Sequence, residues 1–269
     1  MLPQLDDLIP LVKTIAQEEI LPRFNHTEAR LKGDGSVVTD ADLAVQQRLA
    51  VAIKARYPDF GLLGEEMEEA QQQAVVAGSA QGLWCLDPVD GTSNFAAGLP
   101  LFCISLGLIV GGQPAFGIVY DPIRDECFSA ERGRGAWLNG IPLHCKPYNR
   151  PLRRCLALVD FKRLGRNLAT ALIVRPPYSS QRYLGSGALE WAWLAAGRFQ
   201  VYLHGGQKPW DFAAGALILA EAGGFSETLE GAPIFAPGLP SRSVVAAVDG
   251  ELFEAWKAAL AERGRDVRL

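Results

Sequence analysis

The sequence has 269 residues, of which 49 % are hydrophobic and 21 % charged, with a formal net charge of −4. That length and balance suit a globular chain with a full core, built as one large domain or two modest halves. There is no basic run to serve as a nucleic-acid footprint, and no stretch approaches the roughly 20 apolar residues of a membrane span.

The opening MLPQLDDLIPLV has neither the basic n-region nor the small-residue cleavage site of a secretory signal. Leu5, Leu8, Ile9, Leu11, Val12 and Ile15 recur at helical spacing, which predicts an amphipathic helix over 4–22, with Pro22 at its end. Residues 32–36 form a Gly-rich loop, after which Thr39 and Asp40 can cap a second helix reaching about Arg56. The acidic, Gln-rich stretch EEMEEAQQQAV (65–75) reads as a solvated lid, loop or short helix.

From Leu83 the pattern becomes strand-like. LWCL, CISLGLIV, AFGIVY and CFSA are separated by turn residues, and Leu138-Asn139-Gly140 adds a hairpin signal, so a mostly antiparallel meander is expected. The charged segment HCKPYNRPLRRC (144–155) is the candidate boundary between an N-terminal half, 1–150, and a C-terminal half, 151–269. Beyond it, strand and helix signals alternate: CLALVD, a helix near 161–172, RYL, a helix over 186–196, FQVYL, a helix over 210–222 ending at Gly223-Gly224, SVVAAV, and a final helix over 249–263. Helices packed on sheets in two connected halves are the expected architecture. The five cysteines (Cys85, Cys103, Cys127, Cys145, Cys155) are odd in number and include no C-x-x-C pair, so neither a disulfide framework nor a thiolate metal site is expected and the cytoplasm is the default compartment.

The stretch WCLDPVDGTSNF holds the densest chemistry. Asp87 follows LWCL and so is placed at a strand end; Pro88 and Gly91 then suit a turn that brings Asp90 round to the side of Asp87. Two carboxylates held close repel unless a cation lies between them, and oxygen-only donors favour a hard ion such as Mg²⁺. Gly91-Thr92-Ser93-Asn94 has the composition of a helix start, whose free N–H groups bind anions. Taken alone, D-P-x-D-G is as well explained by a plain turn. Glu65-Glu66 after FGLL reads by itself as a solvated helix start, Asp211 in PWDFAAG as an N-cap, and VVTDAD as a capping sequence. Their joint occurrence is what points to metal-assisted phosphate-ester hydrolysis.

DPVDGTSNF, GEE, VVTDAD and WDFAAG…EAGG, in that order and at those separations, resemble the inositol monophosphatase family of Mg²⁺-dependent, lithium-sensitive phosphatases, from about Leu31 to Ala247. The resemblance implies an α/β (α+β) fold, a layered α/β/α/β/α sandwich. It implies that Glu65, Asp87 and the carbonyl of Val89 hold one Mg²⁺, that Asp87, Asp90 and Asp211 hold a second, and that a third ion is accommodated at Glu65. Gly91 and Thr92 would offer N–H groups to the phosphate. Thr92, hydrogen-bonded to Asp42, would orient and deprotonate the attacking water beside Glu66. The T-x-x-D spacing from Thr39 selects Asp42 for that role and leaves Asp40 as a cap. Displacement would be in line, without a phosphoenzyme.

On the substrate side the match thins. Gly185-Ser186-Gly187 resembles the family's G-T-A turn, and His204 stands where inositol-specific members carry a glutamate. Lys32 resembles a basic residue near the site, and is equally a solvated loop lysine. Arg163 and Arg166 could meet a second phosphate or line a solvated helix face. The expected substrate is a small sugar or polyol phosphate, inositol-1-phosphate-like. The rivals are 3′(2′),5′-bisphosphate nucleotides, fructose 1,6-bisphosphate and histidinol phosphate. A fold that had lost its chemistry and served only as an interaction protein should lack a metal ligand, and none is missing here. Family resemblance also implies a homodimer.

Overall fold

The computed structural model describes residues 4–33, 35–79 and 81–265. Helix α1 (Leu5–Ile15) turns Leu8, Val12 and Ile15 inward, as the apolar spacing predicts. It passes through one π turn (Ala16–Ile20) into a 3₁₀ turn (Leu21–Arg23), so the single helix expected over 4–22 is three segments. Pro22 has no N–H to continue α-helical bonding. The Gly-rich loop joins two short antiparallel strands, β1 (Arg30–Leu31) and β2 (Val37–Val38). Helix α2 (Asp40–Arg56) follows, then strand β3 (Gly61–Gly64) and helix α3 (Glu69–Gly78), which resolves the Gln-rich stretch as a helix with no buried residue.

The meander is present. Strands β4 (Leu83–Asp90), β5 (Cys103–Val110), β6 (Gln113–Asp121), β7 (Glu126–Glu131), β8 (Gly135–Leu138) and β9 (Ile141–Leu143) pair in sequence order, all antiparallel. Strand β3 adds a parallel edge, and the short helix α4 (Thr92–Ala96) leaves from the end of β4. Asn139 and Gly140 both take positive φ, 51° and 76°, as a two-residue hairpin requires.

After the irregular stretch from 144, strand β10 (Leu156–Asp160) leads through a 3₁₀ turn (Phe161–Arg163) to helix α5 (Arg166–Val174). The helix expected near 161–172 is thus split at Leu164-Gly165. Strand β11 (Ser180–Arg182) lies slightly before the expected RYL. Helix α6 (Gly187–Ala195), strand β12 (Val201–Gln207) and helix α7 (Pro209–Glu221) follow, and Gly223 ends α7 at φ +92°. Strand β13 (Phe225–Glu227), too short for a periodic signal, strand β14 (Arg242–Ala247) and helix α8 (Gly250–Arg265) complete the chain. The second sheet runs β11-β10-β12-β14-β13, with β10 parallel to β11 and β12.

Helices α1 and α2 cover one face of the seven-stranded sheet, α6 and α7 lie between the two sheets, and α5 and α8 cover the far face of the second. The result is an α/β/α/β/α sandwich. The segment 144–155 connects the sheets, and the core is continuous across it: Cys103, Val119 and Phe128 pack with Trp191, Phe212 and Leu217. No helix of the described residues is long and apolar enough to cross a membrane.

The middle layer sits very close to the first sheet. Gly107 and Gly117 are opposite each other on β5 and β6. A Cβ on Gly117 would stand 2.7 Å from the Ala214 carbonyl oxygen, and one on Gly107 2.8 Å from the Ala213 Cβ. Gly215, on α7, likewise leaves room for Trp191 of α6, 2.3 Å from where its own Cβ would be. Small residues on both sides thus set the position of α7, and with it the position of Asp211.

Candidate active site

The aspartate pair lies on a β-bulge. Strand β4 does not end at Leu86 but runs to Asp90: Asp87 pairs with Ser105, and the next pair is Asp90 with Cys103, so three steps of β4 face two of β5. The expected turn is therefore an extra residue inside a strand, where Pro88 costs no ladder bond. The shift cancels the normal alternation and turns both carboxylates to one side. Val89 N–H closes the bulge onto Asp87 Oδ1 at 3.1 Å. Gly91 then takes φ +97°, and a side chain there would meet the Leu101 carbonyl at 2.8 Å.

Asp211 reaches the same place from the second half. It is the third residue of α7, not its N-cap, and its Oδ2 accepts the Lys208 N–H at 2.8 Å. Ser105 on β5 ties down this end of the helix by donating to the Trp210 carbonyl at 2.8 Å. One carboxylate oxygen from each of Asp87, Asp90 and Asp211 lies within 4.8 Å of the others, close enough to hold a metal ion together.

Asp90 is held by the start of α6. Ser186 Oγ donates to it at 2.7 Å, and the N–H groups of Gly187 and Ala188 at 3.2 and 2.6 Å. The helix N-terminus that would otherwise leave N–H groups free is thus directed at a carboxylate 96 to 98 residues earlier.

The other flank comes from β3 and α2. Lys32 Nζ bridges Glu65 and Glu66 at 3.2 and 2.7 Å. Thr92 Oγ1 lies 3.0 Å from Asp42 Oδ1 and 2.9 Å from the Val89 carbonyl oxygen, so its single proton has two acceptors within reach. Asp42 Oδ2 also receives the Thr39 N–H at 2.8 Å. Thr39 is therefore the cap residue, closed by Asp42 from the third helical position. Asp40, expected as a cap, is exposed and ion-paired with Arg30 instead.

The sequence matches the inositol monophosphatase family over residues 5–265. The chain belongs to that family. It is similar to "Inositol monophosphatase 1" of Solanum lycopersicum, 36 % identical over 217 residues covering 78 % of each chain. It is similar also to "Nus factor SuhB" of Escherichia coli K12, 36 % identical over 210 residues covering 76 % of each. An IMPase structure from Thermotoga maritima superposes with a TM-score of 0.80 at 28 % identity, covering 97 % of this chain and 99 % of that one. Family membership makes the chain a phosphoric monoester hydrolase with a layered α/β sandwich fold.

Electrostatically, this inositol monophosphatase family site is an acidic cluster that Lys32 and the start of α6 offset only in part. Burial, then the charges of Glu65, Asp90 and Asp211, push the Asp87 carboxyl well above the usual range, and Asp211 rises through burial and Asp90. Asp90 is raised to about 6 by burial, against the hydrogen bonds from Ser186 and Ala188. Glu66 reaches about 7, burial outweighing the Lys32 ammonium, and burial raises Asp42 against its bonds from Thr39 and Thr92.

The substrate-side residues fare differently. Ser186 is fully buried and donates to Asp90, so it does not face the opening of the site. Gly185, at φ +74°, packs on the Asn94 side chain, whose amide holds the carbonyls of Leu101 and Leu184, both at 2.7 Å. His204 is 8 % exposed: its Nδ1 accepts the Gly206 N–H at 3.1 Å, and its Nε2 faces Asp160 Oδ2 at 3.2 Å. Expected as a substrate contact, it has one ring nitrogen hydrogen-bonded within the protein and the other beside a carboxylate.

Several supporting residues escape sequence reasoning. Gln46 Oε1 accepts the Glu66 N–H at 3.0 Å, and Gln72 donates to the carbonyls of Gly64, Glu65 and Met67 at 3.0–3.3 Å, so two glutamines shape the Glu65 turn. Buried Glu190 accepts the Leu184 N–H at 2.7 Å and holds the loop before Ser186. Only the 3.6-residue phase of α2 and α6 could have put Gln46 and Glu190 on the inner face.

Proposed function

We propose that the protein is a Mg²⁺-dependent phosphomonoesterase acting on a small sugar or polyol phosphate. The observation that carries the reading is the meeting of Asp87 and Asp90 from β4 with Asp211 from α7, beside Glu65 at the end of β3, with every oxygen donor hard. Such a set is repulsive as it stands and fits a divalent cation preferring oxygen. Glu65, Asp87 and the Val89 carbonyl would hold one Mg²⁺ and Asp87, Asp90 and Asp211 a second, with a third accommodated at Glu65. When bound, the ions supply acidification of water and neutralisation of charge on the phosphate and its departing ester oxygen.

The chain's own residues do the rest. Thr92, bonded to Asp42, orients the attacking water and passes its proton toward that carboxylate, with Glu66 beside it. The N–H groups of Gly91 and Thr92, in the first turn of α4 and free of intrahelical bonds, receive the phosphate. Ser186 acts through Asp90, and Gly185 shapes the loop that carries it. Membership in a family with relatives named for inositol monophosphate supports a polyol substrate. His204 in place of a glutamate argues against strict inositol specificity. Lithium inhibition and a homodimer belong to the same reading. So does a cytoplasmic location, which is supported by five free cysteines, four of them buried.

The test is release of inorganic phosphate from p-nitrophenyl phosphate and myo-inositol 1-phosphate, with and without Mg²⁺. Mg²⁺-dependent turnover is expected; its absence on every ester tried would sink the reading.

A further inference from the structure

Two supports of the acidic cluster meet in one buried place, where α6 packs on β12. The loop before α6 carries Ser186, which donates to Asp90. Strand β12 runs into α7, where the Lys208 N–H meets Asp211. Between these two supports lie Glu190 of α6 and Tyr202 and Gln207 of β12, exposed by 1 %, 0 % and 1 %. Polar groups buried so fully must satisfy one another, and a partly satisfied network is costly.

These groups form a chain. Trp191 Nε1 donates to Gln207 Oε1 at 2.8 Å, and Gln207 Nε2 donates to the Tyr202 hydroxyl oxygen at 2.7 Å. The Trp191 ring stands edge-on to the Tyr202 ring with centroids 5.5 Å apart, which fixes the phenol. The Tyr202 proton is left for Glu190, whose Oε2 has no aligned hydrogen bond of its own. Glu190 Oε1 accepts the Leu184 N–H at 2.7 Å. Burial pushes the Glu190 carboxyl up to about 8, against the Leu184 N–H and the Tyr202 hydroxyl. The chain thus begins two residues before Ser186 and reaches the residue before Lys208. Gly187 closes the gap: a Cβ there would stand 2.5 Å from Gln207 Nε2, and its N–H donates to Asp90.

We infer that Glu190 is a positioning residue of the metal site: tied to the Leu184 N–H on one side and to Tyr202 and Gln207 on the other, it fixes the start of α6, and with it Asp90, at its distance from Asp211. The inference rests on the Mg²⁺-dependent phosphatase reading and adds which of the two ions depends on this network. Glu190 acts through Asp90, which belongs to the ion shared with Asp211. Glu65 belongs to the other ion, and its turn is shaped separately by Gln46 and Gln72. Groups that orient metal ligands are worth about 10–100-fold in metal affinity.

The experiment is calorimetric Mg²⁺ titration of wild type, Glu190→Ala and Glu190→Gln, with melting curves of the metal-free proteins to establish folding. In Glu190→Ala one binding event should weaken by about 10-fold or more while the other stays within about 2-fold. Glu190→Gln keeps an acceptor for Leu184 and a polar group for Tyr202, and should recover most of the loss. In turnover of p-nitrophenyl phosphate by Glu190→Ala, the Mg²⁺ concentration for half-maximal rate should rise by a larger factor than kcat falls. Should Glu190→Ala not fold, Tyr202→Phe removes only the hydroxyl and should weaken the same event by about 3-fold or more. Two events of wild-type affinity in folded Glu190→Ala, or in Tyr202→Phe where that variant stands in, overturn the inference, as do two events weakened equally. Glu190→Gln as weak as Glu190→Ala also overturns it, since charge rather than hydrogen bonding would then be the cause. All three results leave the phosphatase reading standing. Wild-type protein that neither binds Mg²⁺ nor turns over any ester overturns both.

Discussion

Asp87 stands where the opposing demands on this chain meet. It is 2 % exposed, near Glu65, Asp90 and Asp211, and its carboxyl is driven well above the usual range by burial and by those charges. A group so placed destabilises the fold when ionised, which is tolerable only if an ion compensates it. Asp87→Asn keeps the shape and removes the charge. We expect kcat at saturating Mg²⁺ to fall by about 10³-fold, while the metal-free variant melts higher than metal-free wild type because repulsion in the cluster is relieved. Wild-type kcat in the variant would rule out a bridging role for this residue. A lower melting temperature would instead show that Asp87 is held by attraction rather than repulsion.

At the scale of elements, the site depends on how closely α7 lies against the first sheet. Gly107 and Gly117 on adjacent strands, facing Ala213 and Ala214, let the helix approach nearly to backbone contact, and Ser105 holds its first turn. Gly117→Ala places a methyl 2.7 Å from a backbone oxygen that belongs to a helix and has no rotamer to escape by. The cost should be about 1–3 kcal/mol, read as a lower urea midpoint. Because the helix carries Asp211, Mg²⁺ affinity should weaken as well, measured by calorimetric titration. Unchanged stability with unchanged Mg²⁺ affinity would mean that the contact is not what positions Asp211. Helix α6 contributes differently: its N-terminal dipole and N–H groups hold Asp90, a use of a helix end that stabilises a carboxylate within a repulsive cluster.

For the whole molecule, the cluster makes stability a function of pH and metal. The folded value of Asp90, about 6, exceeds the ordinary carboxylate value of about 3.9, and Glu66 is pushed up to about 7. Between those limits the native state binds more protons than the unfolded chain, so the stability of the metal-free protein falls as pH rises through that window. We therefore expect metal-free protein to melt lower at pH 7.5 than at pH 5.5. Mg²⁺ at a hundredfold excess over Kd should raise the melting temperature by about 5–10 °C at pH 7.5. The gain should shrink at pH 5.5, where protons compete for the same oxygens. A melting temperature indifferent to Mg²⁺ at both pH values would count against an ion at the cluster.

The primary structure determined the pieces of this protein whose signals are local. Helical spacing and capping signals located α1, α2, α6, α7 and α8, strand-like runs located the meander, and contiguous motifs carried Glu65, Asp87, Asp90 and Asp211 together with the family. Tertiary structure alone decided how those pieces act on one another. Whether Asp87 to Asp90 is a turn or a bulge depends on register with β5, which no local composition encodes. Gln46 and Gln72 shape the Glu65 turn, and Ser186 with the start of α6 holds Asp90. His204 lies beside Asp160, a residue of another strand. Each of these joins groups that are remote in the chain or on separate elements. Local propensity sets which conformation a segment prefers; it does not set which distant side chain arrives to satisfy a buried oxygen.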